Sequence, residues 1–121
     1  MEHEFSMSVA WNVQNGEIDT VKELVTPENL NEVYNGRTAI QIAADYGHAN
    51  IVEYLIGLGA NINDVDKFGI TPLLSAVWEG HVPVVKLLLS NGANRNVKAP
   101  DGTPLAECTE EEEIRNLLSS A

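Results

Sequence analysis

The chain has 121 residues, 44% of them hydrophobic, and its 18 acidic and 7 basic side chains give a net charge of −11. This length allows one domain, and this share of hydrophobic residues excludes a largely disordered chain. The charge excludes nucleic acids and anionic membrane surfaces as expected partners, because both bind concentrations of Lys and Arg. A basic protein surface is the natural complement, since opposite charges speed and orient the encounter.

The sequence also indicates a compartment. The single cysteine, Cys108, excludes an internal disulfide and is typical of a reducing environment. Residues 1–5 are acidic and lack an apolar run, so we expect no secretory signal. No stretch approaches the roughly 20 apolar residues that span a membrane. We therefore expect a soluble, cytoplasmic monomer, and whether it also enters the nucleus stays open.

The N-terminal quarter of the chain predicts a pair of short helices. An apolar run at 9–13 predicts the first helix, and Asn15-Gly16 predicts the turn after it. Asp19 is placed to open the second helix and Pro27 to stop it.

The next two helix pairs have clearer boundary signals. Thr38 and Thr71 are predicted N-caps, and Pro72 suits the first helical position, where a missing N–H costs nothing. Gly47 and Gly80 are placed to end these first helices in the left-handed conformation. In both pairs a second apolar helix is predicted to follow the turn.

The chain closes with a truncated pair that contains the acidic run at 110–113. This run has two interpretations: a metal or basic-partner site, or a helix start in which Thr109 is the N-cap and Glu112 completes a capping box. We favour the helix start, because carboxylates near a helix N-terminus each contribute a few tenths to about 1 kcal/mol.

A repeat period unites these elements. Glycines recur at intervals of 33 residues, as Gly36, Gly69 and Gly102, as Gly47 and Gly80, and as Gly59 and Gly92. A period of this length with a turn and two short helices resembles the ankyrin repeat. The sequence therefore predicts an all-α solenoid of four stacked helix–turn–helix units whose terminal units act as caps. We expect one domain, 1–121, with units at about 1–34, 35–67, 68–100 and 101–121.

A narrower resemblance extends over nearly the whole chain. The segments ITPLLSAV at 70–77, EGHV at 79–82 and VKLLLS at 85–90 resemble the myotrophin family of ankyrin-repeat proteins. Tyr34-Asn35 departs from that family's acidic, glycine-rich turn, and Trp78 stands in place of its tyrosine. The resemblance implies a cytosolic protein without a cofactor that sequesters the heterodimeric actin-capping protein, so that barbed filament ends stay free to grow. It also implies a basic partner surface that meets acidic and aromatic residues.

Ankyrin-type proteins bind through turn tips and the groove of their first helices, which indicates where contacts should lie. The predicted partner-binding residues are Trp11, Asp45, Tyr46, Asp64, Asp66, Phe68, Trp78, Glu79 and Asp101. Aromatic side chains beside acids suit a basic protein surface, with the ring as the anchor. Three alternatives stay open: the rings cover neighbouring repeats, Trp11 covers the open end of the core rather than matching Trp78, and the turn aspartates only bond locally.

Enzymatic function is not expected. The 33-residue period explains His48 and His81 without chemistry, and Cys108, equivalent to Ala76, is predicted to be buried and inert. No phosphate-binding loop and no spacing typical of a metal site occurs in the sequence. The alternative to capping-protein binding is a generic ankyrin module for another partner, such as a kinase or a transcription factor.

Overall fold

The structure, a computed structural model, describes residues 2–119, with side chains from Ser8 onward. Over this range the chain forms seven α-helices, a two-stranded hairpin and one 3-10 turn. The helices are α1 Glu2–Gln14, α2 Ile18–Leu24, α3 Ala39–Tyr46, α4 Ala49–Leu58, α5 Pro72–Trp78, α6 Val82–Ser90 and α7 Glu112–Ser119. The hairpin joins β1 Val33–Tyr34 to β2 Arg37–Thr38, and the 3-10 turn is Leu105–Glu107. Met1, Ser120 and Ala121, which the predicted domain includes, lie outside the described residues.

The helices stack in two rows. The first helices of successive pairs contact one another in the order α1, α3, α5, and the second helices in the order α2, α4, α6, with α7 packed on α6. This arrangement confirms the predicted all-α ankyrin solenoid. None of the helices in the described part of the chain has the length and apolar character needed to cross a bilayer.

The predicted boundary signals act as expected at α5, whereas the hydroxyl of Thr38, the predicted N-cap of α3, is buried and has no hydrogen-bond partner among the described residues. The Thr71 hydroxyl accepts a hydrogen bond from the N–H of Leu74 at 3.1 Å, and Pro72 occupies the first turn of α5. At the start of α3, Oε1 of Gln41 accepts a hydrogen bond from the N–H of Thr38 at 2.8 Å. Gly47 ends α3 with a φ of 79°, in the left-handed region where a side chain would be strained.

The core lies between the two rows of helices. Its largest fully buried side chains include Ile40, Ile51, Leu55, Leu73 and Leu88. Burying one such side chain contributes about 1.5–3 kcal/mol, so the core depends on several neighbouring helix pairs together. The stacked first helices thereby hold their exposed ends, where the predicted site lies, in fixed relation.

Two predictions for the last helix pair are wrong. α7 begins at Glu112, and the Thr109 hydroxyl accepts a hydrogen bond from the N–H of Glu111 at 3.1 Å, so no capping box forms. The carbonyl of Thr109 instead accepts a hydrogen bond from Nε of Arg115 at 2.8 Å. Cys108 is half-buried rather than buried, because a single 3-10 turn replaces the first helix of this pair, and the residue 33 positions after Ala76 is Thr109 rather than Cys108.

Candidate functional site

The site begins at the β1–β2 hairpin. Tyr34 pairs with Arg37 across a two-residue turn in which Asn35 and Gly36 have φ angles of 54° and 88°. Two positive φ values are typical of a type I′ turn, which matches the twist of the strands. Because the Tyr34 side chain is buried, Asn35 alone forms the exposed tip of this turn. Burial and the nearby Glu32 carboxylate raise the pKa of Tyr34.

The turn tips of successive units stack against each other. The N–H of Lys67 donates a hydrogen bond to the carbonyl of Gly36 at 3.2 Å, which joins the hairpin to the next turn. The 33-residue period then places Asn35, Phe68 and Asp101 at equivalent tip positions. A row of exposed side chains therefore runs along one edge of the molecule.

The turn aspartates have local roles. Oδ1 of Asp66 accepts hydrogen bonds from the N–H groups of Phe68 and Ile70, at 2.8 and 3.0 Å. Oδ1 of Asp101 accepts hydrogen bonds from the hydroxyl and the N–H of Thr103, at 2.7 and 3.0 Å, and these bonds lower the pKa of Asp101. The predicted local hydrogen bonding at turns is thus present at both residues.

Asp64 is tied to the first-helix row by its backbone. Its carbonyl accepts a hydrogen bond from Nε2 of the buried Gln41 at 3.0 Å, and its carboxylate accepts one from the N–H of Val65 at 3.2 Å. These contacts position the turn against α3.

A small cavity brings four of the nine predicted residues together. Its volume is about 180 Å³, and it is lined by Arg37, Asp45, Asp66, Phe68, Ile70, Ser75 and Trp78. Two larger surface hollows, of about 510 and 530 Å³, lie at α2–α4 and α6–α7 and contain none of the predicted residues. The cavity is therefore the place where acidic and aromatic side chains meet.

Arg37 is the residue that sequence reasoning missed. Its Nη2 lies 3.4 Å from Oδ2 of Asp45, and its Nε lies 4.0 Å from Oδ2 of Asp66. Nη2 also donates a hydrogen bond to the carbonyl of Gln41 at 3.2 Å. One guanidinium is thus shared by two carboxylates, which leaves this group with a net charge of −1. The chain has only 7 basic residues, and this scarcity was the sequence feature that could have drawn attention to Arg37.

The aromatic walls of the cavity are substantially exposed. Phe68 is 61% exposed and Trp78 is 44% exposed. Burial raises the pKa of the Cys108 thiol, and a side-chain hydrogen bond from Trp78 opposes that shift. A raised pKa also disfavours Cys108 as a nucleophile.

The remaining predicted residues lie away from the cavity. Tyr46 and Glu79 are exposed at the C-terminal ends of α3 and α5. Trp11 precedes Gly16 by five residues, whereas Asp45 and Trp78 precede their glycines by two, so the predicted equivalence is wrong by one helical turn. Trp11 is 59% exposed, so most of its ring is not used to cover the open end of the core.

A metal interpretation of the acidic run is not supported. In the portion of the chain that the structure describes, no group of His, Cys, Asp and Glu is arranged to hold a metal ion. The two histidines that the period explains have structural contacts: Nε2 of His48 lies 2.7 Å from the carbonyl of Gln14, and Nε2 of His81 lies 2.9 Å from that of Asp45. The third, His3, has its side chain outside the described residues.

Comparison with known proteins identifies the family. The family model for ankyrin repeats in three copies matches residues 9–99. Myotrophin of Xenopus tropicalis is 48% identical over 110 residues, which cover 89% of this chain and 93% of that protein. The ankyrin repeat and KH domain-containing protein mask of Drosophila melanogaster is 43% identical over 81% of this chain but only 3% of its own length. The chain belongs to the ankyrin-repeat family, in which it is a myotrophin-like protein-binding module.

Proposed function

We propose that this chain binds the heterodimeric actin-capping protein in the cytoplasm and sequesters it, so that barbed filament ends stay free to grow. Similarity to myotrophin over almost the full length of both chains supports the proposal. The observation that carries it is the meeting of exposed aromatic rings and carboxylates at one cavity, on a chain with a net charge of −11. A basic surface is the natural partner of such a site.

Rings and carboxylates have different tasks in this proposal. Phe68 and Trp78 are exposed aromatic side chains, so they serve as the anchors that lose water on binding. Asp45 supplies negative charge in the same cavity, and the exposed Glu79 and Asp101 add negative charge to the surface outside it, so that all three steer the encounter. The other predicted contacts, Trp11, Tyr46 and Asp64, extend the surface along the first-helix row and the turn tips, whereas the side chain of Asp66 is only 4% exposed and holds the turn.

Sequestration follows from simple competition. A chain bound over the filament-binding surface of capping protein prevents that surface from reaching a barbed end. With free chain at about one hundred times its dissociation constant, free capping protein falls about a hundredfold. Filament ends that lose a cap are then recapped only slowly.

The test is actin assembly from seeds whose barbed ends are held capped by limiting capping protein. Elongation should recover as the chain is added, because free capping protein is withdrawn from the ends. If elongation stays blocked while the chain is folded and in excess, the proposal is wrong and another protein partner must be sought by unbiased capture.

A double substitution, Asp45→Ala with Trp78→Ala, tests the surface itself. It should raise the concentration needed for recovery and lower the melting temperature only slightly, because both side chains are partly exposed. Glu53→Gln is the matched control, since Glu53 is exposed at the α2–α4 hollow, away from the cavity. Equal loss of activity in both variants would show that only overall charge matters.

Charge steering can be measured separately. Association of the chain with capping protein should slow steeply between low and physiological salt, where exposed charges are screened over about 8–10 Å. Stopped-flow association rates at several salt concentrations give this dependence. Rates independent of salt would contradict the proposed role of the acidic residues.

A further inference from the structure

We propose that the cavity lined by Phe68 and Trp78 is a binding pocket for one arginine side chain of the protein partner, whose guanidinium binds the free carboxylate oxygen of Asp45. This inference deepens the proposed function and depends on it only for the identity of the partner. It assigns the cavity a ligand of defined chemistry.

The charge of the cavity favours a cation. Asp45 and Asp66 share the single guanidinium of Arg37, so the group lacks one positive charge. The shared guanidinium is also incompletely hydrogen-bonded, because its Nε lies 4.0 Å from Oδ2 of Asp66 and has no hydrogen bond among the described residues. Neither carboxylate is therefore strongly neutralised from within the chain.

Asp45 is the carboxylate that a partner can reach. Its side chain is 30% exposed, and its Oδ1 has no hydrogen bond or ion pair with any residue that the structure describes. Asp66 is only 4% exposed and uses Oδ1 for two backbone N–H groups. The two acids in the cavity thus divide into one that binds outward and one that holds the turn.

Asp45 is also held in place before any partner arrives. Its carbonyl lies 2.9 Å from Nε2 of His81 in the next helix pair, and its Oδ2 lies 3.4 Å from Nη2 of Arg37. Contacts from two directions fix both the backbone and the carboxylate. Because the carboxylate is already ordered, binding a ligand costs the receptor little conformational entropy, which increases affinity.

The walls suit a planar cation. A guanidinium stacks on aromatic faces, and Phe68 and Trp78 supply two exposed rings. The Phe68 ring already accepts a cation, because Nζ of Lys67 lies 5.2 Å from its centroid. Ser75 lines the same cavity, is 5% exposed, and has a hydroxyl without a hydrogen-bond partner within the described range. That hydroxyl can accept a second N–H of the guanidinium.

Size selects a single side chain. At about 180 Å³ the cavity holds roughly six water molecules, since each takes about 30 Å³ of the liquid. Pockets for small molecules and cofactors are larger, at about 300–1,000 Å³. Arginine fits better than lysine, because its fork of donors can reach carboxylate and hydroxyl together while its plane lies on a ring.

The probe is N-acetyl-arginine-N-methylamide, with the citrulline derivative as an uncharged control of the same shape. We expect a dissociation constant on the order of 10 mM for the arginine probe, as befits one ion pair and one stacking contact. The indole N–H signals of the two tryptophans give the readout by NMR. The Trp78 signal should shift saturably with arginine and much less with citrulline, while the Trp11 signal stays fixed. Equal responses to both probes, or no response, would overturn the inference.

Two variants sharpen the test. Asp45→Asn keeps the shape of the side chain and should weaken arginine binding about tenfold, whereas Glu53→Gln, outside the cavity, should not. Lys67→Gln removes a cation that competes for Phe68, so binding should stay equal or become tighter. Loss of binding in Lys67→Gln, or unchanged binding in a folded Asp45→Asn, would contradict the pocket.

Capping protein separates this inference from the proposed function. If the chain binds capping protein and Asp45→Asn binds it as tightly, the pocket is not used for the partner and the inference is wrong, while the function stands. If the chain does not bind capping protein but the arginine probe behaves as expected, the function is wrong and the pocket stands. A loss of about tenfold in capping-protein affinity for Asp45→Asn, but not for Glu53→Gln, supports both.

Discussion

Two boundaries between helix pairs can be compared: the one between the second and third pairs, and the one between the third and last pairs. They have the same main-chain hydrogen bond but different side chains. The N–H of Asp66 donates to the carbonyl of Ile70 at 3.0 Å, and 33 residues later the N–H of Ala99 donates to that of Thr103 at 2.9 Å. The ionic group of Arg37, Asp45 and Asp66 at the first of these boundaries corresponds to Ile70, Trp78 and Ala99 at the second. The repeat therefore fixes hydrogen bonds of the main chain and leaves the chemistry of each boundary free to vary.

The two boundaries also differ in how tightly they are packed. A Cβ added at Gly47 would lie 2.6 Å from Nδ1 of His81, whose ring also lies within hydrogen-bond distance of Asp45. At Gly80 the nearest atom is Oε1 of Glu111, at 3.0 Å, because the last pair lacks the histidine. The ionic group of Arg37, Asp45 and Asp66 therefore lies at the more closely packed boundary, where the contact with His81 keeps Asp45 in position.

Gly47→Ala should have the largest effect on stability. A left-handed φ of 79° costs a residue with a Cβ about 1–2 kcal/mol, and the displaced His81 loses a hydrogen bond worth about 1 kcal/mol. We expect the free energy of unfolding, measured by urea denaturation, to fall by about 2–3 kcal/mol. Because His81 also holds Asp45, binding of the arginine probe should weaken as well.

Substitutions at two further glycines distinguish the cost of backbone strain from the cost of a steric clash. Gly59 has a φ of 100°, and an added Cβ would have no atom within 4 Å, so the cost of Gly59→Ala is backbone strain alone. Gly80→Ala meets the end of a flexible carboxylate, which can move aside. Both should cost about 1–2 kcal/mol. A loss at Gly80 as large as that at Gly47 would contradict the difference between the boundaries.

Asp66→Ala should have the next largest effect. The substitution removes the acceptor of two backbone N–H groups and leaves Arg37 with one carboxylate, for a loss of about 2 kcal/mol. Asp45→Ala removes a partly exposed ion pair and should cost less than about 1 kcal/mol. Thermal unfolding of both variants checks the order, and equal losses would show that Asp45 is also a structural residue.

The fold was predictable because its signals are local. The 33-residue period follows from glycines that need positive φ, and the starts of α3, α5 and α6 are marked by Thr38, by Thr71 with Pro72, and by Pro83. Two local predictions were wrong for local reasons. Trp11 was assigned by analogy although Gly16 and Gly47 are only 31 residues apart. At Thr109 the hydroxyl bonds two residues ahead, which competes with the capping box.

The cavity was only partly predictable, because it is assembled across a unit boundary. Asp45, Asp66, Phe68 and Trp78 were predicted one by one from turns and helix ends. Their meeting around Arg37 depends on the stacking of α3 on α5, which no single unit of sequence encodes. Which aspartate stays available is likewise a matter of hydrogen bonds that form only in the folded chain.

Cys108 should show the smallest effect on stability. Cys108→Ala is expected to change the free energy of unfolding by less than about 1 kcal/mol, because the thiol is half-buried and its contacts with carbonyls, at 3.4 and 3.9 Å, are weak. The alkylation rate of Cys108 instead measures how often the last helix pair opens. Burial raises the pKa of Cys108, so at a given pH the folded chain holds less thiolate than the unfolded chain and should be alkylated more slowly by iodoacetamide. Alkylation at the same rate with and without urea would mean that the last helix pair opens freely.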